Sequence, residues 1–253
     1  MQLELILALK IQRELYAIPR GWERFWKYIE TMTGGTDDLV LPIVGMNPMG
    51  HDHNAAKLDE LIALGAEAAA AEALAEAEHH LSNVDGEFRV CLVLNDDLRG
   101  QWTNRYFTEA SYRFQSAAAL RRGFAIVPCW TSETWTAADV RRETLAAVYR
   151  NTYMRRYGLP RPLRQIMTQE GLTAVFAGGL PFSLDADDLE YSREVIQPQL
   201  DSTHFPTIFA CLYGDEASRS AGYPPLGLSP RAGFAVACDE AQKGKLTPEV
   251  ALQ

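Results

Sequence analysis

"FRVCLVLN", residues 88–95, is dense in β-branched and apolar residues and predicts a buried strand. A second stretch of the same kind, "GFAIVPCW" (residues 123–130), predicts another strand. Between them, residues 96–114 predict a loop or hairpin excursion that ends in a poorly defined strand. Most of the remaining sequence has helical periodicity. The sequence therefore predicts the α+β class, as a helix-rich single domain over residues 1–253 with a small central sheet.

The part of the chain before the first strand, residues 1–86, is predicted to be helical. Its apolar spacing predicts helices over residues 1–15, 20–35 and 54–81. The third of these has an Ala- and Glu-rich centre, which is typical of a continuous helix. The second carries an aromatic and aliphatic stripe that we expect to face the core, formed by Trp22, Phe25, Trp26 and Ile29.

Helices are also predicted after the second strand. Thr136 and Asp139 have capping-box spacing and predict the start of a helix that runs over residues 137–157. Further helical segments are predicted over residues 163–179, 184–212 and 231–244.

Composition and charge exclude several classes of partner. The net charge of −9 and the pI near 5.1 argue against nucleic acid or an anionic membrane surface, because both require basic patches. The apolar N-terminal stretch "LELILAL" is too short to span a membrane, and no basic run precedes it. The four cysteines form no C-x-x-C pair and are expected to be free thiols, with two disulfides as the alternative. We therefore expect a cytoplasmic protein. These features do not predict an oligomeric state.

Two short segments carry a resemblance to a known family. "RRETLAAVYR" (residues 141–150) lies in the helix that follows the second strand, and "QEGLTAVFAGG" (residues 169–179) lies in the next helix. In this order they resemble a family of predicted zinc-dependent proteases with a zincin-like fold, in which H-E-x-x-H is followed by a glutamate ligand on a later helix. "PPLGLSPRAGFAVACDEA" (residues 224–241) resembles the closing segment of that family more loosely. The resemblance covers residues 87–253 and implies a zincin-like fold there.

The ligand positions of that family are substituted in this chain. The resemblance places Arg142 and Ala146 at the two histidine positions, Glu143 at the general base and Glu170 at the third ligand. Arginine and alanine offer zinc no lone pair, so we expect no metal cofactor at this position. Arg142 is instead expected to form a forked ion pair with Glu170. The alternative is that Arg142 and Glu143 belong to an ordinary exposed helix face.

Other residues are candidates for a site on the residue pattern alone. His51 and His53 in "HDH" are an alternative metal site, for zinc, or simply solvated polar residues. Asp96 and Asp97 follow a predicted strand, where functional carboxylates are common, although "NDD" is also turn chemistry. The following segment holds a set of residues that line a cleft or else cover the sheet edge: Trp102, Asn104, Arg105 and Tyr106.

Three functions follow from these observations, and they leave open whether the chain is an enzyme. The first is a degenerate, non-catalytic zincin-like metallopeptidase homologue that binds a peptide or protein in its former active-site cleft. The second is a metallohydrolase or protease with non-standard metal ligands, for which Glu170, His51 and His53 are candidates. The third is a structural or interaction protein without a functional cleft.

Overall fold

The computed structural model describes residues 1–98 and 103–253. Within these residues the strands are β1 (Gln2–Ile6), β2 (Glu87–Asn95) and β3 (Phe124–Trp130). The first helices are α1 (Ala8–Ala17), α2 (Trp22–Thr33), α3 (Asp52–Ala63), α4 (Ala66–His80), α5 (Arg105–Phe114) and α6 (Ala117–Arg121). The others are α7 (Ala137–Tyr157), α8 (Leu163–Phe176), α9 (Ala186–Ile196), α10 (Phe205–Tyr213), α11 (Asp215–Ser220), α12 (Ala232–Lys243) and α13 (Pro248–Ala251).

The chain forms two compact units, Met1–Val148 and Tyr149–Gln253. The first unit, which we call the sheet unit, contains all three strands; the described part of the second, the helical unit, contains helices only. The boundary between them falls within α7, whose residues belong to both units. The predicted helix-rich α+β architecture with a small sheet is confirmed.

The three strands form a parallel sheet in the order β1-β2-β3. β2 is central, and its Asn95 pairs with Trp130 at the end of β3. β3 contains Pro128, which lacks the N–H that a central strand would need for hydrogen bonds on both sides. Because the strands are parallel, the carboxyl ends of β2 and β3 lie at the same edge of the sheet.

The predicted helix over residues 1–15 is wrong in its first part, because the chain forms β1 before α1 begins at Ala8. The residues "QLEL" alternate in polarity, and Leu3 and Leu5 are less exposed than Gln2 and Glu4. Pairing with β2 brings the backbone of this segment into a sheet, from Gln2 opposite Glu87 to Ile6 opposite Cys91. The alternation of polar and apolar residues that is typical of a strand was present in the sequence, but pairing with β2 decides that the segment forms a strand rather than a helix.

Gln12 of α1 continues the hydrogen bonding of β2 beyond the end of β1. Its buried side chain donates to the Leu92 carbonyl oxygen at 2.9 Å and accepts from the Leu94 N–H at 2.9 Å. A side-chain amide carries one donor and one acceptor group, as does a backbone peptide unit, so it can replace a missing strand neighbour. This contact holds α1 against the part of β2 that leads to its carboxyl end.

The long helix predicted over residues 54–81 is divided at Gly65 into α3 and α4. Gly65 has φ +73°, a left-handed conformation that glycine adopts without steric cost. The Ala- and Glu-rich segment predicted to be helical is confirmed as α4.

The stripe of α2 that was predicted to face the core is not buried there: its two tryptophans are exposed, and Phe25 and Ile29 are half-buried. Trp22 and Trp26 are 72% and 62% exposed, whereas Arg24 and Tyr28 are buried. The Arg24 guanidinium donates to the carbonyl oxygens of Ile18 at 2.7 Å and Gly50 at 3.0 Å. The face of α2 that is buried is therefore the one whose arginine finds carbonyl oxygens to donate to. The apolar periodicity of α2 does not indicate this face.

The segment between β2 and β3 was predicted to be a loop or hairpin followed by a poorly defined strand, and the strand is wrong. Its described residues from Arg105 to Arg121 form α5 and α6. The Asn104 side chain caps α5 by accepting from the Phe107 N–H at 3.1 Å. A parallel sheet requires a long crossover between neighbouring strands, and helices are its usual content.

The predicted capping box before α7 is confirmed. The Thr136 N–H donates to Asp139 Oδ2 at 3.0 Å, and the Asp139 N–H donates to Thr136 Oγ1 at 3.2 Å. α7 then begins at Ala137 and ends at Tyr157, as the sequence predicts.

In the helical unit, glycines allow α12 to approach two other helices closely. A Cβ atom at Gly171 of α8 would lie 2.2 Å from the Ala237 carbonyl oxygen of α12. A Cβ atom at Gly233 of α12 would lie 2.5 Å from the Cys211 carbonyl oxygen of α10. The packing of α8, α10 and α12 therefore depends on the absence of these two side chains. Over the residues described, no helix combines the length and apolar character that crossing a membrane would require.

Candidate functional site at the carboxyl ends of β2 and β3

Polar side chains gather where β2 and β3 end. Asp96 and Asp97 directly follow β2, and Thr131, Ser132 and Glu133 directly follow β3. Helices α3 and α5 contribute polar side chains to the same cluster through hydrogen bonds described below. In open sheets with parallel strands, ligands bind outside the carboxyl ends of the strands, so this edge is the first place to look for a site.

Asp96 is the centre of the cluster. It is 1% exposed, and its Oδ2 accepts from the side-chain amides of Asn47 at 3.1 Å and Asn54 at 3.0 Å. Its Oδ1 lies 2.9 Å from Nε2 of His53 and accepts from the Leu98 N–H at 3.3 Å. These partners surround the carboxylate with donors, which is what a buried negative charge requires.

The contacts with Asp96 determine which polar atoms of His53 and Asn54 are left for other partners. A carboxylate only accepts, so Nε2 of His53 carries a proton and donates it to Asp96. Nδ1 of His53 and Oδ1 of Asn54 are then the remaining polar atoms of these two side chains. Both are buried, and neither has a hydrogen-bond partner among the described residues. Buried polar atoms without a partner are uncommon in native proteins, and here two of them lie on adjacent residues.

Asp97 is held by the first residues after β3. Its Oδ1 accepts from Thr131 Oγ1 at 2.9 Å and from the Ser132 N–H at 3.0 Å, while Oδ2 accepts from Ser132 Oγ at 2.6 Å. Burial raises the pKa of the Asp97 carboxyl, but these hydrogen bonds and the Arg105 guanidinium outweigh it, so its pKa lies below the ordinary value. Thr131 Oγ1 is also 3.4 Å from Asp96 Oδ1 and so connects the two carboxylates.

Arg105 of α5 connects three carboxylates. Its guanidinium donates to Asp97 Oδ2 at 3.1 Å and to Glu133, and its Nε lies 3.7 Å from Glu109 Oε2. The same guanidinium stacks over the Trp130 ring, 4.1 Å from its centroid. A planar cation with donors on three sides suits this position, and the aromatic surface beneath it favours arginine over lysine.

The loop before α3 approaches the cluster closely. A Cβ atom at Gly50 would lie 2.1 Å from Asn54 Nδ2, and one at Gly45 would lie 2.0 Å from Asn95 Oδ1. Only glycine leaves room for these amides, so the backbone here is shaped around the polar cluster.

Asp97→Asn is expected to lower the free energy of unfolding by about 1–3 kcal/mol at about pH 7, because charge-assisted hydrogen bonds become neutral ones. A carboxyl with a lowered pKa in the folded state adds stability above its unfolded pKa of about 3.9. That stability is lost as the pH falls through the folded-state pKa. The difference between wild type and variant in urea unfolding should therefore shrink below about pH 4. The matched control is Asp59→Asn in the same unit, where an exposed carboxylate pairs with Arg13 and the expected change is below about 1 kcal/mol. A wild-type advantage that stays constant down to about pH 2 would contradict the assignment.

The residues at the zincin ligand positions of α7 have local partners. Arg142 donates to Asp139 Oδ1 at 2.7 Å, and its Nε lies 3.5 Å from Glu143 Oε1. Ala146 is buried. Arg142 therefore forms ion pairs one turn or less away on its own helix, as residues of a charged helix face do. Its side chain and that of Glu143 are half-buried rather than exposed.

Glu170 of α8 has a different cation from the one predicted. Arg150 donates to it through Nε at 2.7 Å and through a terminal nitrogen at 3.0 Å, as a forked pair. The Gln169 side chain donates to the same carboxylate at 3.1 Å. The predicted forked pair of Glu170 with Arg142 is wrong. The guanidinium that pairs with Glu170 belongs to Arg150, about two helical turns further along α7 and in the same helical unit as Glu170. Both side chains of the pair are at most 8% exposed, so neither charge is left to solvent.

The other predicted site residues are distributed as follows. Arg105 and His53 belong to the cluster, whereas His51 is exposed at the N-cap position of α3 and Asn104 caps α5. Tyr106 lies on α5 and is half-buried, and Trp102 lies outside the described residues. Among the residues described, no group of three or more His, Cys, Asp or Glu side chains is arranged to hold a metal ion.

The four cysteines are buried free thiols, as predicted. Burial raises the pKa of Cys91 and of Cys211 to about 12, and it also raises the pKa of Cys129. A nucleophilic cysteine needs a lowered pKa, so these three thiols are not suited to that role.

The sequence indicated part of this cluster. "NDD" after a strand pointed to Asp96 and Asp97, and the unusual loop pointed to Arg105. Asn47, Asn54 and Thr131 carried no comparable signal, because single polar residues near a glycine or a strand end are common. Only the parallel pairing of β2 with β3 could have predicted Thr131 and Glu133 beside Asp97.

No protein-family model, curated protein or solved structure matches the chain.

Proposed function

We propose that the sheet unit is a small-molecule binding module whose site lies at the carboxyl ends of β2 and β3. The observation that carries this proposal is the connected polar chain from His53 through Asp96, Thr131 and Asp97 to Arg105. It joins two helices and two strand ends through side chains that are mostly buried. A protein rarely places so many charged groups in one buried network unless they position each other for a ligand.

The position of the cluster supports a ligand site more than a purely structural role. Its inner members, Asp96 and Asn54, are buried, while Ser132 is exposed and the Glu133 side chain is 41% exposed. The network therefore extends from the interior to the surface at the sheet edge where ligands of parallel sheets bind. A network that served only to hold loops together would not need this continuous path to solvent.

The proposal is tested by screening the isotope-labelled full chain by NMR against small polar compounds: amino acids, monosaccharides, nucleosides and hydroxy acids. A ligand should shift resonances of Asp96, Asp97 and residues 131–133. Asp97→Asn should weaken that ligand at least tenfold, about 1.4 kcal/mol, whereas Asp59→Asn should leave its affinity unchanged. The proposal would be overturned by ligands that shift only resonances elsewhere, or by a panel in which no compound shifts these residues.

A second proposal concerns α7 and α8, where a degenerate zincin-like centre without metal remains a candidate. It is supported by the Arg150–Glu170 pair, in which a guanidinium neutralises the carboxylate that the family uses as a ligand. The peptide-binding version is less favoured. An extended peptide could pair with β3 as an edge strand, but six of the seven residues of β3 are buried. The version with non-standard metal ligands is less favoured too, since the Arg150 guanidinium already occupies both carboxylate oxygens of Glu170, its candidate ligand. Elemental analysis of protein purified without added zinc tests both: stoichiometric metal that is lost on Glu170→Gln would establish the metallohydrolase alternative.

A further inference from the structure

We infer that the ligand of this site is a neutral or cationic molecule that presents O–H or N–H donors to His53 and Asn54. The inference rests on the proposed function and deepens it by naming the chemical class. It depends on two observations: which atoms of the cluster lack a partner, and which charge surrounds them.

The first observation is the pair of orphaned acceptors. His53 and Asn54 are adjacent in the first turn of α3, and each donates to Asp96 with one polar atom. This leaves Nδ1 of His53 and Oδ1 of Asn54 without partners among the described residues. Oδ1 is an acceptor, and Nδ1 is one when the ring carries only the proton on Nε2. Asn54 is 1% exposed, so bulk solvent does not reach its amide oxygen. Both atoms require a donor, and a ligand hydroxyl or amine supplies one.

Both atoms are enclosed in this structure, an arrangement that we call the closed form, and a ligand can reach them only if neighbouring groups move. A buried acceptor without a partner destabilises the closed form, and a donor group that reaches the acceptor removes that cost. The His53 side chain is 19% exposed, which places it at the rim where such a group would enter. Binding is therefore expected to shift the rings and amides of these two residues, rather than leave them as they are.

The second observation is the excess of negative charge. In the described cluster, acidic side chains outnumber the arginine and lysine side chains that they contact. The cations are Arg105, Arg113 and Lys57, and the acids are Asp96, Asp97, Glu60, Glu109 and Glu133. The Nε of Arg105 is also orphaned as a hydrogen-bond donor, but Glu109 lies 3.7 Å from it and balances its charge. The charges of the described residues would repel an anionic ligand and attract a cation.

Three probes with the same three-carbon skeleton separate donor chemistry from charge: 1-amino-2-propanol, 1,2-propanediol and lactate. They carry a positive charge, no charge and a negative charge near neutral pH. We expect the first two to produce saturable shifts in the His53 ring nitrogens and the Asn54 side-chain amide. The amine should bind at least threefold more tightly than the diol, and lactate should bind at least tenfold more weakly than the diol.

A salt titration provides a second measurement on the unaltered protein. Affinity for the amine should fall as ionic strength rises, whereas affinity for the diol should not change, because only the amine carries charge. Asp59→Asn is the matched variant, since this exposed carboxylate of α3 lies outside the cluster and its removal should leave the order of the probes unchanged.

The outcomes distinguish this inference from the proposed function. If lactate binds best, or if the amine and diol leave His53 and Asn54 unshifted while another compound shifts Asp96 and Asp97, the ligand class is wrong and the site stands. If neither the probes nor the wider panel shift any residue of the cluster, both are wrong. Shifts of His53 and Asn54 in the predicted order of affinity would support both.

Discussion

Arg150→Met is expected to lower the free energy of unfolding by about 3–5 kcal/mol, the largest effect of any single substitution considered for the helical unit. Removal of the guanidinium leaves the Glu170 carboxylate, whose side chain is 2% exposed, without its forked partner. The Gln169 amide, which donates to Glu170 at 3.1 Å, cannot neutralise the charge. Urea unfolding followed by circular dichroism measures the loss.

The matched control for Arg150 is Arg164 of the same unit. Arg164 pairs with Asp201 at 3.0 Å, but the two side chains are 56% and 86% exposed. Solvent screens such a pair, so Arg164→Met should change stability by less than about 1 kcal/mol. The double replacement Arg150→Met with Glu170→Leu should recover much of the loss, because no charge then remains buried. A single variant as stable as wild type would show that Glu170 is neutralised in some other way.

Asp96→Ala is expected to cost about 3–5 kcal/mol in the sheet unit, because several buried donors lose one acceptor at once. The amides of Asn47 and Asn54 and the ring of His53 all donate to this carboxylate, at 2.9–3.1 Å. Each orphaned donor costs about 1–3 kcal/mol, although some of them will find new partners as the site relaxes. The measurement is again the free energy of unfolding in urea.

Asp96→Asn refines this second prediction. Asparagine keeps the shape, but its NH₂ group must face donors where a carboxylate oxygen accepted before. We expect a smaller loss, about 2–3 kcal/mol, together with a change in the protonated nitrogen of His53 that is visible in its ring ¹⁵N shifts. The control is Asp59→Ala, for which the expected loss is below about 1 kcal/mol. An unaltered His53 spectrum in Asp96→Asn would contradict the assigned hydrogen bond.

Several elements could be predicted from the sequence because their signals are local. β2 and β3 are apolar, β-branched segments bounded by turn residues, and they form where the sequence places them. α7 starts at a capping box whose two hydrogen bonds involve residues three apart. α2 ends at Gly34, which adopts φ +58° as a helix-terminating glycine does. None of these features requires knowledge of distant parts of the chain.

The predictions that are wrong concern features determined by contacts with residues far away in the sequence. β1 is a strand because β2 lies beside it, and α2 buries Arg24 rather than Trp22 because carbonyl oxygens from two loops accept from its guanidinium. The cation predicted for Glu170 was of the right type, but only the packing of α7 against α8 within the helical unit selects Arg150. The sequence identified a buried carboxylate position that needed a positive charge, without identifying its source.

For the candidate site, the sequence by itself determined the chemical inventory: two adjacent aspartates after a strand, an arginine in the following segment and a histidine before a long helix. Only the tertiary structure decided which of these act together. The physical reason is that a parallel sheet places the ends of β2 and β3, 35 positions apart from Asn95 to Trp130, at one edge. A buried carboxylate such as Asp96 needs hydrogen-bond donors, and here they come from residues as far apart in the sequence as Asn47 and Thr131. The spacing of residues in the sequence does not indicate these partners.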